Sequence, residues 1–297
     1  MSESSQPSPR PSRTPTSPPG WTAALARRRR HAPSTSVEFR GANLALQDST
    51  ADEIVLGGPA GTGKTRAALE KIWRLAHNYP GSRFLIVRKT RASLSESALV
   101  TLERDVMGLS HPLVENGPQR SHRRSYRLPN GSEIATGGMD KASRILSTEY
   151  DVIYVPEATE LNLEDWETLS TRLRNGVLPY QQLVGDCNPG PPTHWIKRRA
   201  EERALELLPT THRDNPALYD DDGERTPDGD RYLGRLDRLT GVRRARFLDG
   251  LWVAAEGVVY SEWDATRNEL PNADALPPLR RRYLSIDFGF TNPFVCQ

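Results

Sequence analysis

Cysteine occurs only twice in the 297 residues, at Cys187 and Cys296, and the two positions are far apart with no metal-ligand spacing. A reducing, cytoplasmic setting is therefore the default expectation. Long apolar runs are also missing, so no stretch reads as a bilayer span. The N-terminus has no apolar core of the secretory type, which excludes a signal peptide as its reading. Charge of one sign is not in excess either. Forty Lys and Arg stand against 38 Asp and Glu, a net charge of +2, so a nucleic-acid surface has to be local. The charged fraction of 26% and hydrophobic fraction of 36% are those of a soluble protein. The length suffices for one large domain or two small ones with a sizeable core.

The most informative stretch is Gly58-Pro59-Ala60-Gly61-Thr62-Gly63-Lys64-Thr65. It fits G-x-x-x-x-G-K-[ST] without a mismatch, the pattern of a loop that cradles phosphates. Its glycines let the backbone fold back and turn N–H groups inward, and the helix that follows points its positive end at the same place. Lys64 is placed to reach the β- and γ-phosphates of ATP, and the Thr65 hydroxyl to ligate Mg²⁺. The flanks agree. Ile54-Val55-Leu56 reads as a buried strand, and Lys64 to His77 carries Ala67, Ala68, Ile72 and Leu75 at helical spacing.

Residues 1–36 are crowded with Ser, Pro and Thr, and are expected to be a disordered tail. The tail holds the basic run Arg27-Arg28-Arg29-Arg30-His31, which reads either as a solvated linker or as a phosphate-backbone contact. Gln47, just before the first strand, offers both a donor and an acceptor for an adenine edge, and is equally a surface residue. Phe84-Leu85-Ile86-Val87 is a second buried strand. It runs into Arg88-Lys89-Thr90-Arg91, cations at the carboxyl end of a core strand, where ligands bind in parallel α/β sheets. Ser125–Leu128 and Glu133–Thr136 alternate around Asn130-Gly131, a hairpin signal, and Lys141 and Arg144 follow. Val152-Ile153-Tyr154-Val155 is a third strand, ending in Pro156-Glu157. Glu157 is the candidate to orient an attacking water. Pro156 stands where an Asp for the metal is usual, so Mg²⁺ leans on Thr65, waters and the nucleotide, or Glu157 serves two roles. Leu163 to Leu173 reads as a helix, and Gln182 to Asp186 as a fourth strand ending in Asn188-Pro189-Gly190. Asn188 is placed to sense the γ-phosphate, and is also an ordinary turn residue. Trp195 to about Gly250 reads as mainly helical. After a linker at 271–278, Tyr283 to Gly289 is a new apolar strand ending in Asp287.

In order and spacing, residues 37 to 297 resemble the large terminase subunit of tailed bacteriophages, the ATPase that packages DNA into proheads. The resemblance rests on Gly58–Thr65, Arg88–Leu94, Ser147–Asp151 leading into Glu157–Leu161, and Arg172–Gly176. It also rests on Asp186-Cys187-Asn188-Pro189, Asp214-Asn215-Pro216 and Ala255–Tyr260. It implies an α/β fold: a P-loop NTPase core of the additional-strand, RecA-like type over 37–212, a helical subdomain and linker over 213–270, and the first strand of an RNase H-like nuclease over 271–297. It implies a catalytic Glu157 on a strand beside the one that precedes the phosphate loop, and Asn188 in a coupling motif. The phosphate loop carries no arginine, so an arginine finger has to come from elsewhere. Arg91 is the leading candidate, with Arg88 and Arg144 behind it, in cis or from a neighbouring subunit. Asp287 matches the first metal-binding acid of the nuclease. Two-metal cleavage needs further carboxylates, so the nuclease centre is expected to be incomplete and inactive, with the Asp287 strand short of partners. The implied partners are double-stranded DNA, a portal protein, a small terminase subunit and further copies in a ring, without a membrane. The implied setting is the host cytoplasm. The rival readings are a PhoH-like or helicase-like ATPase, since this loop also looks like that of PhoH-type proteins, and a remnant that binds nucleotide without turnover.

Overall fold

The computed structural model describes residues 37–254, 286–287 and 295–296. The expected tail at 1–36 and the linker at 271–278 lie outside the described residues. Seven strands form one sheet: β1 (Glu53–Gly57), β2 (Arg83–Arg88), β3 (Ser125–Arg127), β4 (Glu133–Gly138), β5 (Val152–Val155), β6 (Gln182–Cys187) and β7 (Glu206–Pro209). Their order is β3-β4-β2-β5-β6-β1-β7. Every neighbouring pair is parallel except the β3–β4 hairpin, which Asn130-Gly131 turns.

The inner strands are buried on both faces, which is why they read as continuous apolar runs rather than as an alternation. The strand period of two still sorts their side chains. Ile54, Leu56, Phe84, Ile86, Val152 and Tyr154 enter one core. Val55, Leu85, Val87, Ile153 and Val155 enter the other. The first core is closed by α1 (Gly41–Asp48) and α2 (Lys64–Asn78), the latter through Ala67, Ala68, Leu69, Ile72, Leu75 and Ala76. A further layer follows β2: α3 (Arg91–Glu96), α4 (Ala98–Thr101), a π-helical turn (Leu102–Met107) and α5 (Pro112–Glu115). In that turn the buried Glu103 accepts from Arg123 at 3.0 Å, Arg120 at 2.7 Å and the Tyr126 hydroxyl at 2.7 Å.

The second core is closed by α6 (Leu163–Ser170) and α7 (Trp195–Glu201). Asn162 caps α6 and exchanges hydrogen bonds with Asp165, a capping box that fixes where the helix starts. Trp166 and Trp195 meet with ring centroids 5.2 Å apart. The Trp166 indole donates to Glu53, which also holds Arg199 at 2.6 Å. The chain then continues through α8 (Pro227–Leu236) and α9 (Gly241–Phe247).

Three expectations change. First, β7 interrupts the region expected to be mainly helical from Trp195 onward. Its short, half-exposed sequence Glu-Leu-Leu-Pro lacks the apolar length of the inner strands, but its parallel pairing with β1 alone puts it at the sheet edge. Second, β5, which leads into Glu157, does not lie beside β1. Strand β6 pairs with both and separates them. Third, Ile286–Asp287 (β8) is not without a partner. It pairs antiparallel with Val295–Cys296 (β9).

Candidate functional site at the carboxyl ends of β1, β5 and β6

The phosphate loop joins β1 to α2. Gly61 and Gly63 lie at φ +79° and +86°, a left-handed backbone that residues with a Cβ adopt only under strain. Among the described residues, no protein acceptor engages the N–H groups from Gly61 to Thr65. These groups and the N-terminus of the 15-residue α2 form a concentrated anion-binding surface. The loop is held from outside by residues well separated in sequence. Asn43 donates to Thr62 O at 2.7 Å, Asn215 to Gly61 O at 2.7 Å, and Ala60 N to Phe247 O at 3.0 Å. The Tyr232 ring packs directly over Gly61.

Lys64 is buried and turned onto its own loop. Its Nζ donates to Pro59 O at 2.6 Å, Gly58 O at 2.9 Å and Asn188 Oδ1 at 3.3 Å. Burial lowers the ammonium's pKa, and the negative charge of Asp186 works against that shift.

Asp186, at the end of β6 and 2% exposed, is the hub of the site. Its Oδ2 accepts from the Thr65 hydroxyl at 2.7 Å and the Tyr154 hydroxyl at 2.6 Å. Its Oδ1 accepts from the Glu157 backbone N–H at 3.0 Å. Three donors from separate segments fix the orientation of both oxygens. Asp186 was not singled out from the sequence as a site residue. Its signal in the sequence is an acid near the end of an otherwise apolar strand, two positions before Asn188.

Glu157 lies two residues past the end of β5 in a left-handed conformation, φ 54° and ψ 52°. Among the described residues its carboxylate makes no protein hydrogen bond, so its oxygens are free to hold water. Burial raises its pKa, the nearby Asp186 charge adds to the shift, and Arg88 and Lys64 oppose it. A carboxylate of raised basicity beside a phosphate loop is suited to accept a proton.

The remaining candidates divide. Asn188 reaches Lys64, as above. Gln47 uses its amide donor within the protein. Its Nε2 is bonded to Ala67 O at 2.9 Å, tying α1 to α2. Arg91 is not brought to the phosphate loop in this chain. Its guanidinium is fixed by Ser95 Oγ at 2.7 Å and by the backbone oxygens of Arg120 and Arg123. The strand it follows, β2, is three strand spacings from β1, roughly 14 Å. Arg88, also from the end of β2, does act on Glu157 electrostatically, while Glu160 grips it through two bonds of 2.8 and 2.6 Å. The Arg144 side chain lies outside the described residues, as does that of Asp287.

Whether Mg²⁺ suits the site is a question of donor chemistry. Thr65 Oγ1 and the Asp186 carboxylate form an adjacent pair of hard oxygens at the mouth of the loop, the donor type this ion takes. Among the described residues there is no cluster of three or more His, Cys, Asp or Glu that would enclose a metal.

A family model described as phage terminase large subunit matches residues 50–233. Among solved structures, the large terminase of a thermophilic bacteriophage in complex with ADP is similar at 22% identity and a TM-score of 0.57, over 87% of this chain and 64% of that one. Its complex with ATP-gamma-S gives 20% identity and 0.54, with the same coverage. A point variant of the large terminase ATPase domain of Thermus phage P74-26 gives 17% and 0.50, over 73% of this chain and 96% of that one. At such identities the likeness is one of fold. The chain spans less than two thirds of the length of the first two. A comparison with curated proteins finds no match.

Proposed function

The chain belongs to the phage terminase large subunit family, and we propose that it is the ATP-hydrolysing part of a viral DNA-packaging motor. The observation that carries this reading is the convergence of Lys64, Thr65, Asp186, Glu157 and Asn188 at the carboxyl ends of three adjoining strands. ATP phosphates would take the free N–H groups of Gly61 to Thr65 and draw Lys64 off the carbonyls of Gly58 and Pro59. Mg²⁺, when bound, neutralises developing charge on the phosphates, and Thr65 offers it a hydroxyl. Glu157 orients the attacking water and accepts its proton, while Lys64 stabilises charge on the transferred phosphoryl group. Asn188, released when Lys64 moves, is positioned to report the state of the phosphates to the loop that follows β6.

DNA is the proposed track, held through its backbone because packaging is indifferent to sequence. A groove of about 700 Å³ beside β3 and β4 is lined by Arg83, Arg91, Arg124, Arg127 and Lys141, with Glu133 as its acid. Arg124 and Lys141 are exposed there and suit phosphate contact. By family, the further partners are a portal protein, a small terminase subunit and other copies of this chain in a ring. A neighbouring copy is then the source of an arginine finger, since Arg91 is tied elsewhere. The setting is the host cytoplasm, at the prohead portal.

The test is steady-state phosphate release from ATP by the purified chain, with and without duplex DNA, beside Lys64→Ala and Glu157→Gln. Turnover raised by DNA and abolished in both variants is expected. Nucleotide binding without turnover, at high protein concentration and with DNA present, would overturn it.

A further inference from the structure

We propose that Asp186, on the strand inserted between β5 and β1, is the acid that holds the nucleotide's divalent cation, in place of the side chain that Pro156 lacks. The inference rests on the ATPase reading above and concerns which residue serves the metal within it.

Pro156 closes β5 with no oxygen on its side chain. An acid placed there would sit beside Glu157, across from the loop. The same space is reached from the neighbouring strand. Strands β5 and β6 are in parallel register, with Val155 opposite Gly185. The next residue on β6, Asp186, therefore lies level with the position of Pro156. Its Oδ2 stands 2.7 Å from the Thr65 hydroxyl oxygen, the protein group expected on the ion. Asp186 also lies beside Leu56 of β1 in the register that leads into the loop.

The surroundings fit that task. The Tyr154 hydroxyl donates to Oδ2 at 2.6 Å and the Glu157 N–H to Oδ1 at 3.0 Å, so both oxygens are aimed and the group cannot rotate freely. Gly185, just before it, lets Val55 and Ala158 approach within 3.1 Å of where a Cβ would be, which keeps the strand ends close. Oδ2 accepts from two hydroxyls, and the metal or its waters would take the place of the Thr65 proton while the Tyr154 bond stays. Tyr154 is then a positioning residue. Glu157, whose carboxylate makes no protein hydrogen bond among the described residues, is left to the water. One acid on each of two adjacent strands thus divides two tasks that one strand end carries in the usual arrangement.

The experiment uses Mn²⁺ as a spin probe. Free Mn²⁺ is followed by electron paramagnetic resonance as it is titrated into the chain saturated with ADP. ADP binding in EDTA is measured alongside to show that the phosphate loop is intact. Asp186→Asn is expected to weaken Mn²⁺ binding at least tenfold while changing metal-free ADP binding less than threefold. Glu157→Gln is expected to change Mn²⁺ binding less than threefold. Tyr154→Phe keeps the ring in the core and removes one aiming bond, and is expected to weaken Mn²⁺ binding at least threefold. It decides the matter should Asp186→Asn fail to fold. Unchanged Mn²⁺ affinity in Asp186→Asn, or in Tyr154→Phe if that is the folded variant, overturns the proposal. So does a loss confined to Glu157→Gln. A parent chain that binds no ADP at all overturns instead the reading on which the proposal rests.

Discussion

Glu157 stores strain that can be measured. It is one of two residues other than glycine with positive φ among the described residues, the other being Arg203. An L-residue in this region lies about 1–2 kcal/mol above its relaxed state. The Asp186 bond to its N–H holds it there. Alanine at 157 would keep this penalty, whereas glycine would remove it. Glycine also widens the unfolded ensemble, which offsets about 0.4–1 kcal/mol. The glycine variant should therefore be more stable than the alanine variant by about 0.8 kcal/mol, or about 2 °C in Tm for a chain of this size. The carboxylate adds a second, separable effect. Its pKa is raised by burial first and by Asp186 second, so the folded chain holds the proton more tightly than the unfolded one. Stability from this group is full below the ordinary carboxylate pKa and is lost as pH rises through the raised value. Glu157→Gln has no such loss, so it should exceed the parent in stability at neutral pH, with the gap closing in acid. Urea unfolding of the parent and the three variants at neutral and acid pH reads both effects. An alanine variant as stable as the glycine variant would refute the strain argument. A gap between Gln and parent that is constant with pH would refute the electrostatic one.

Other outcomes follow from the same geometry. Activity should have an acid limb above the usual carboxylate range, because Glu157 must lose its proton to act; a kcat profile against pH with its limb near that of a free glutamate would contradict the burial argument. Asp151, fully buried at the start of β5, accepts from Arg83 N, Asn175 Nδ2, Val177 N and Leu178 N. Asp151→Ala would strand these donors and should destabilise the chain by about 4 kcal/mol in thermal unfolding. Gly61→Ala forces a Cβ into a left-handed backbone 2.4 Å from the Tyr232 ring. Fluorescence titration should show ATP affinity reduced about tenfold, and a second change, Tyr232→Ala, should restore only part because the backbone strain remains. Arg124→Ala and Lys141→Ala should each lower the salt slope of duplex-DNA binding by about 1 without altering ATP affinity.

The sequence made the centre of the fold legible because three strands are buried on both faces and the phosphate loop admits few alternatives. Ile54–Leu56, Phe84–Val87 and Val152–Val155 all lie in strands, and Lys64 begins the helix at the expected place. Strand order was less accessible. Whether β5 or β6 lies beside β1 depends on pairings between segments roughly a hundred residues or more apart, which no local pattern encodes. The edge strand β7 escaped because Glu206 to Pro209 is short and half exposed, without the apolar run that betrays an inner strand. At the site, Lys64, Thr65 and Asn188 met, since each is set by the loop or by a strand end. Arg91 went elsewhere because carbonyls of the segment 120–123, brought in by the hairpin, capture its guanidinium. Asp186 stayed hidden for the converse reason. Its importance arises from three donors on different segments, visible only once β5 and β6 are aligned.

The folded-back position of Lys64 bears on the timing of the proposed nucleotide cycle. With its ammonium resting on the Pro59 and Gly58 oxygens at 2.6 and 2.9 Å, the loop carries an internal competitor for its own ligand. The apparent dissociation constant is the intrinsic one divided by the share of molecules in which the lysine is free, so binding and departure become exchange reactions. A departing product need not leave a bare buried cation behind, because the carbonyls take the lysine as the phosphates let go. Tight initial capture is thereby traded for ready ejection, which would serve the proposed ATPase wherever emptying of the site limits its turnover.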